Sequence, residues 1–223
     1  MLRLERALLS WSGGKDSTLA MYELRRAGRF EVVALITTVT RDYDRVSMHG
    51  VRRQLLERQA EELGIGLEKV WIPKNATNKE YESQMRSLLE KFRRGGVRHV
   101  AFGDIFLQDI RQYREERLRE VDMDGIFPIW GRDTTELAHT FIDLGFKAIV
   151  CCADPKVLDK KFCGAEFDGS FLSRLPPRVD PCGERGEFHT FVYAGPLFRR
   201  QIDVKLGEVV LRDGFYFADI LPD

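Results

Sequence analysis

Six consecutive residues, Ser12-Gly13-Gly14-Lys15-Asp16-Ser17, carry the densest chemistry in the chain. They follow an apolar run (residues 7–11) and precede a helical run (residues 18–27), an arrangement of strand, glycine turn and helix. Gly13 and Gly14 have no Cβ, so the backbone there can take positive φ and turn successive N–H groups inward. Such a nest, backed by the positive end of a helix dipole, binds anions. Lys15 adds a point charge for phosphate oxygens. Ser17 stands where a hydroxyl caps the helix or reaches a phosphate or a metal. The implied ligand is a polyphosphate; the bland alternative is an ordinary turn after a strand. The loop is not a Walker A motif, because Leu9 stands where that motif needs its first glycine and Asp16 follows the lysine, and no G-x-G-x-x-G is present.

A second constellation lies near the carboxyl end: Gly183-Glu184-Arg185-Gly186-Glu187-Phe188-His189-Thr190. Glycines allow close approach, the carboxylates can bind an amine or ammonium, and the histidine can move a proton. A charged turn opening a hairpin is the alternative. Between the two lies Gly103-Asp104-Ile105, at the end of an apolar run. A carboxylate there is costly unless paired or coordinated. Asp104 is therefore a candidate for Mg2+, for orienting an acceptor, for pairing with Lys15, or for a helix N-cap. Thr37 is a candidate for a nucleotide pocket or simply a strand former. His49 can touch phosphate or substrate, or be a solvated loop residue. Arg114 can reach phosphate or lie on a solvated helix face. Of the four cysteines, Cys151 and Cys152 close an apolar run and read as buried. No C-x-x-C supports zinc or dithiol chemistry, and Cys182 is the one thiol with a conceivable catalytic role.

The elements that position these residues alternate. Residues 31–38 are rich in β-branched side chains and nearly continuously apolar, as a strand buried on both faces of a parallel sheet reads. A polar loop (41–50) leads to an amphipathic helix over 51–63, stopped by Gly64. Residues 67–72 form a third strand. Thr77 and Glu80 have the capping-box spacing that opens a helix running to Arg94. A fourth strand is expected at 99–103, a charged helix at 110–121 and a fifth strand at 126–130. This alternation predicts a parallel sheet with helices on both faces and ligands at the carboxyl ends of its strands. Beyond Gly131 the texture changes: another helix opens at Asp133 and Glu136, residues 147–152 read as a strand, and runs at 188–193, 201–206, 209–211 and 215–218 are separated by turn residues, with Asp213-Gly214 a hairpin signal. The expected domains are residues 1–130, binding the phosphate ligand, and 131–223, a smaller α+β part ending in β-hairpins.

Length, composition and charge narrow the class. The chain has 223 residues, 43% of them hydrophobic, and zero formal net charge. That gives no basis for nonspecific binding to nucleic acid or acidic membranes. No apolar run approaches the ~20 residues that span a bilayer. Charges at Arg3, Glu5 and Arg6 interrupt any leader pattern, so the cytoplasm is the expected compartment.

The Ser12–Ser17 string resembles the PP-loop of the adenine nucleotide alpha-hydrolase superfamily, the N-type ATP pyrophosphatases. Together with Gly103-Asp104-Ile105, Pro128-Ile129-Trp130, the Gly183–Thr190 string, Thr190-Phe191-Val192 and Gly195-Pro196-Leu197-Phe198, it resembles the diphthine–ammonia ligase family over nearly the whole chain. The resemblance implies a Rossmann-like, HUP-type parallel sheet of order 3-2-1-4-5, sandwiched by helices. It implies ATP with Mg2+, cleavage between the α and β phosphates, adenylation of a carboxylate acceptor, and displacement of AMP by ammonia. By position it gives Ser12, Gly13, Gly14, Lys15, Asp16 and Ser17 to the phosphates, the region of Thr37 to the adenine and ribose, and Gly103 to the site between nucleotide and acceptor; Arg114 joins the nucleotide candidates by its charge alone. Asp104 would lie between nucleotide and acceptor, and Glu184, Glu187, His189 and Thr190 would face acceptor or ammonia; His49 joins the substrate candidates by its place in the loop before Gly50. Lys15, Asp104, Glu184, Glu187 and His189 are the catalytic candidates. Here the chain departs from the family string, because Arg185 intrudes and His189 replaces a carboxylate; the acceptor is then expected to be a carboxylate other than diphthine. No glutaminase domain is evident, so free ammonia is the simpler donor. A homodimer is left open. Two rivals stand beside this reading: an ATP-binding sensor without turnover, and a PP-loop enzyme that modifies tRNA.

Overall fold

A computed structural model describes residues 4–223; the reading of residues 1–3 as part of a charged start lies outside them. The first half lays down β1 (Glu5–Ser10), α1 (Lys15–Ala27), β2 (Phe30–Thr40), β3 (Arg45–Val46), α2 (Arg53–Leu63), β4 (Leu67–Ile72), α3 (Asn78–Arg94), β5 (His99–Ala101), α4 (Gln108–Arg119) and β6 (Asp124–Ile126). After it come α5 (Thr134–Asp143), β7 (Lys147–Ala153), a single 3-10 turn, α6 (Gly169–Arg174), β8 (Phe188–Ala194), β9 (Val204–Arg212) and β10 (Phe215–Pro222).

The main sheet runs β4-β2-β1-β5-β6, all parallel, so the five strands expected from sequence stand in the order 3-2-1-4-5. Strand residues alternate between its two faces. Leu9, Leu35 and Ala101 pack with α1 and α2 on one side, while Leu8, Ala34, Ile36 and Val100 pack against Leu89 of α3 and Leu118 of α4 on the other. Both faces are thus covered, which is why β1 and β2 read as apolar runs rather than alternating ones. The helix starts are local chemistry. Thr77 Oγ1 accepts the Glu80 N–H at 3.2 Å and Glu80 accepts the Thr77 N–H at 2.7 Å, closing the expected capping box. Asp133 and Asp168 cap α5 and α6 in the same way, accepting the Glu136 and Phe171 N–H groups at 2.9 and 2.7 Å.

The second sheet is antiparallel, in the order β8-β7-β10-β9. Asp213 (φ 49°) and Gly214 (φ 86°) make the β9–β10 turn, the conformation that Asp-Gly supplies cheaply. One apolar core continues from Leu9 and Trp11 through α1, α2 and α5 into Phe167, Phe171, Phe188 and Phe191.

Several expectations on boundaries are corrected. The loop at 41–50 contains β3, which pairs antiparallel with the end of β2 (Val39↔Val46, Thr40↔Arg45), and α2 begins at Arg53 because the Val46 N–H donates to Val51 O at 2.8 Å. The fifth strand is Asp124–Ile126 rather than 126–130; Pro128, without an N–H, lies past its end. The runs at 201–206 and 209–211 form one strand, β9, with a register shift opposite Ala218 and Ile220 near Gly207.

The fit between β5 and α1 is tight. A Cβ on Gly103 would stand 2.7 Å from the carbonyl carbon of Asp16 and 2.8 Å from Ser17 N, which are backbone atoms with little freedom to yield. Gly103→Ala is therefore expected to destabilise the protein by about 1–3 kcal/mol, read as a lower urea midpoint at unchanged slope.

Candidate active site

The glycine turn forms as the sequence implies. Gly13 takes φ 79° and Gly14 is the N-cap of α1. The helix start leaves its first N–H groups without intrahelical partners, and Gly103, just past β5, lies against the Asp16–Ser17 peptide, by the Asp16 carbonyl and the Ser17 N–H. The loop and the 103–104 segment therefore face each other across adjacent strands, as the 3-2-1-4-5 order requires.

The carboxy-terminal string lies directly on this turn. Thr190 Oγ1 accepts the Lys15 N–H at 3.0 Å, and the Val192 N–H donates to Gly13 O at 2.9 Å. Gln59 on α2, fully buried, joins the pieces: its amide donates to Gly13 O (3.0 Å) and Val192 O (2.6 Å), and its Oε1 accepts the Trp11 indole N–H (2.8 Å). Sequence reasoning gave the 51–63 segment only as an amphipathic helix and gave Gln59 no role; a buried amide with three satisfied bonds is a tether.

Lys15 is 1% exposed and its side chain turns inward. Nζ donates to both oxygens of Asp16 at 2.9 Å and to Cys182 O, and it lies 5.4 and 5.8 Å from the ring centroids of Phe188 and Phe167. Burial opposes its charge, but Asp16, Cys182 and Glu184 together outweigh that, and the amine is held above its ordinary value. Its donors are spent on protein acceptors. Ser17 does not cap the helix: its hydroxyl donates to Gly14 O at 3.0 Å and sits 3.3 Å from Ser12 Oγ.

The expected pairing of Asp104 with Lys15 does not occur, and Asp104 is not an N-cap, which is Leu107. Asp104 instead takes Arg114, ten residues on, at 2.7 and 3.1 Å, with the guanidinium 4.4 Å from the Phe102 ring. Arg114 and Phe102 also line a small, mostly apolar cavity of about 60 Å³ with Ser10, Ile36 and Met85, under α3 and α4. Thr37 is 3% exposed, and its hydroxyl has no partner.

The string sorts into anchors and a free acid. Both oxygens of Glu187 accept backbone N–H groups, from Asp180 (3.1 Å) and Arg185 (3.0 Å). Asp180, which sequence reading missed, accepts the Cys182 and Glu184 N–H groups at 2.9 and 3.2 Å and the Thr134 hydroxyl at 2.7 Å. The signal for it was an Asp two residues before Cys182, a common loop-bonding position. Glu184 reaches across to the first half and accepts the Ile105 N–H at 2.8 Å. Burial pushes its carboxyl up to about 7, and the charges of Asp16 and Asp104 add to this against the pull of the Ile105 bond.

His189 stacks on His49, ring centroids 4.4 Å apart, and His49 Nδ1 lies 3.4 Å from Thr190 O. Burial lowers His49 to about 4, and burial with the neighbouring His49 and Lys15 holds His189 well below its usual range. Both imidazoles are neutral at pH 7. Cys182 donates its thiol to Thr134 O at 3.2 Å, and burial raises its pKa strongly, the reverse of what a thiolate nucleophile needs. Among the described residues, no group of three or more His, Cys, Asp or Glu is arranged to hold a metal ion, and no helix is long and apolar enough to cross a membrane.

The fold and site define an α/β protein with a mostly parallel sheet, whose glycine turn after β1 is covered by a strand from a second, antiparallel sheet. Comparison with known proteins is specific on this point: the diphthamide synthase N-terminal domain matches residues 5–124, and the diphthamide synthase C-terminal domain matches residues 133–220. The chain belongs to the diphthamide synthase family. Among curated proteins it is similar to diphthine–ammonia ligase of Danio rerio, 27% identical over 94% of this chain and 90% of that protein, and of Homo sapiens, 25% identical over 94% and 86%. The Bos taurus diphthine–ammonia ligase is 29% identical over 56% of this chain and 48% of its own length. These relatives carry the name of a ligase.

Two outcomes follow from the site. Lys15→Met removes the cation that Asp16 and Cys182 O surround, with an expected loss on the order of 3 kcal/mol in a denaturant titration. Glu184, raised in the folded state, binds more protons folded than unfolded between its unfolded value and about 7, so it costs stability as pH rises through that window. Glu184→Gln should accordingly gain stability relative to the parent protein from pH 5 to pH 8, measured as the difference in urea midpoints across a pH series.

Proposed function

We propose that this chain is an ATP-dependent amide ligase. A carboxylate acceptor attacks the α-phosphate of ATP, pyrophosphate leaves, and ammonia then displaces AMP from the acyl carbon to give the amide. The observation that carries this reading is the docking of Glu184–Thr190 onto the Ser12–Ser17 loop, since activation and amidation must happen at one place. In this reading residues 1–130 are the nucleotide-binding half and residues 131–223 the acceptor-binding half.

The residues present suit ATP. Gly13 at φ 79° gives the turn the conformation of an anion-binding loop, and the unpartnered Thr37 hydroxyl suits a ribose or base. With the Lys15 N–H taken by Thr190 and the Gly14 N–H by Ser12 Oγ, phosphate oxygens are assigned to the N–H groups of Asp16 and Ser17. Lys15 acts by placing its charge beneath the loop rather than by direct contact. Arg114, beside the Phe102 ring, serves the nucleotide side.

Magnesium fits less well as a protein-held ion. Asp104 is already neutralised by Arg114, and the ion is given to the nucleotide phosphates, whose charge it would screen when bound. No step is drawn through it.

Ammonia becoming an amide loses a proton, and Glu184 is the group poised to take it at neutral pH. Neutral His49 and His189 supply hydrogen bonding and exclude water. Glu187 acts by holding the loop shape through its two N–H bonds, so of the catalytic candidates it is a positioning residue.

Incubation with ATP, Mg2+, ammonium and a carboxylate panel should yield AMP and pyrophosphate in equal amounts. Formation of ADP and orthophosphate would overturn the mechanism. The rate should rise with pH through about 7, and Glu184→Gln should lower kcat by roughly 10²–10⁴ and abolish that limb.

A further inference from the structure

A cavity of about 460 Å³ lies between the β2–β3 loop region and the β9–β10 hairpin, and one of its walls is His189. The other face of the imidazole stack meets the glycine turn, since a Cβ on Gly14 would stand 3.1 Å from His49 Cε1. One pair of rings therefore separates this cavity from the phosphate loop. Both halves of the chain line it: Tyr43, Arg45 and Lys74 from the first, Arg212, Phe217 and His189 from the second.

Its charge is one-sided. The lining holds Arg45, Lys74 and Arg212 against the single carboxylate of Asp213. Arg45 is engaged with Asp219 and Gly50 O, both at 2.8 Å, and Lys74 stands 3.7 Å from Asp213. Arg212 is different. Its guanidinium is held by two rings, 4.8 Å from the centroids of both Tyr43 and Phe217, rather than by a carboxylate. A guanidinium sandwiched this way keeps its N–H edge free for a planar anion. The same rings cannot welcome a ligand cation, because Arg212 and Lys74 (5.2 Å from the Tyr43 centroid) already occupy their faces. The neutral His49 and His189 add no opposing charge.

We propose that this cavity is the acceptor pocket and selects a small molecule with two acidic groups: one carboxylate at the His189 end, to be activated, and a second anionic group held by Arg212 and Lys74. This rests on the amide-ligase reading for the reaction, while the anion preference rests on the cavity alone.

The test has two arms. Succinate, glutarate and adipate are compared with 4-aminobutyrate and 5-aminovalerate as acceptors, with AMP as readout in the presence of ATP, Mg2+ and ammonium. At least one diacid should stimulate AMP formation tenfold or more over the amino acid of similar length, and Arg212→Glu should raise its KM at least tenfold while leaving kcat within a factor of three. Equal or better stimulation by the amino acids overturns the pocket's assignment, as does a failure of every diacid to stimulate when another carboxylate does. If no acceptor yields AMP, the ligase reading fails, and calorimetric titration of glutarate into the intact protein still decides the pocket. Binding weakened tenfold or more by Arg212→Glu, and separately by Lys74→Glu, supports it; absent binding, or binding unchanged by both, overturns it. Both positions are partly or fully exposed, so the variants keep the core intact.

Discussion

An ammonium group sits where water does not reach. Removing such an ion from solvent costs several kcal/mol unless its protons find acceptors, and Lys15 finds them in Asp16 beside it and in Cys182 O from the far end of the chain. Two phenylalanine rings, from the 3-10–α6 region and from β8, close over it. The glycine turn therefore cannot complete its own electrostatics. It needs the carboxy-terminal segment, and the second sheet is held against the first by that requirement together with the Gln59 tether and the Thr190 and Val192 bonds. The shared core, continuous from Leu9 to Phe191, is the apolar counterpart of the same coupling.

What was legible in the sequence was legible because it is local or periodic. The capping residues Thr77 and Asp133 bond three residues ahead, Asp213-Gly214 fixes its own turn, and the buried strands announce themselves by continuous apolar runs. The sheet order was supplied by family resemblance, not by these patterns. What escaped shares a cause: the deciding partner is remote or the signal is short. β3 is two residues long and exists because β2 outlasts β1, which ends opposite Ile36 while β2 runs on to Thr40. Lys15 was read as a charge for phosphate oxygens because nothing local reveals Cys182 O. Asp104 pairs with Arg114, which in sequence read either as a phosphate contact or as part of a solvated helix face. Each case required the tertiary contact to settle which way a charged side chain turns.

The carboxy-terminal string illustrates how similar residues separate in role. Glu184 and Glu187 looked equivalent in sequence, two carboxylates in a glycine-rich turn. Glu187 and Asp180 both fold back on the string's own backbone, so their charge is consumed in shaping it. With the loop shaped by its neighbours, Glu184 is released to cross the crevice to Ile105. It arrives among Asp16 and Asp104, two like charges that Lys15 and Arg114 only partly cancel, and its affinity for a proton rises for that reason and for its burial.

That arrangement ties the proton affinity of one side chain to the closeness of the two halves. Were the second sheet to move away, Glu184 would regain water and lose both the Ile105 bond and the neighbouring carboxylates. It would then revert to an ordinary glutamate, ionised at neutral pH and of little use as an acceptor tuned near 7. The histidine pair depends on the same closure, since His49 comes from the first half and His189 from the second, and their neutrality is a product of mutual burial. Glu184, His49 and His189, whose proton affinities are all perturbed, thus come together only while the halves are together.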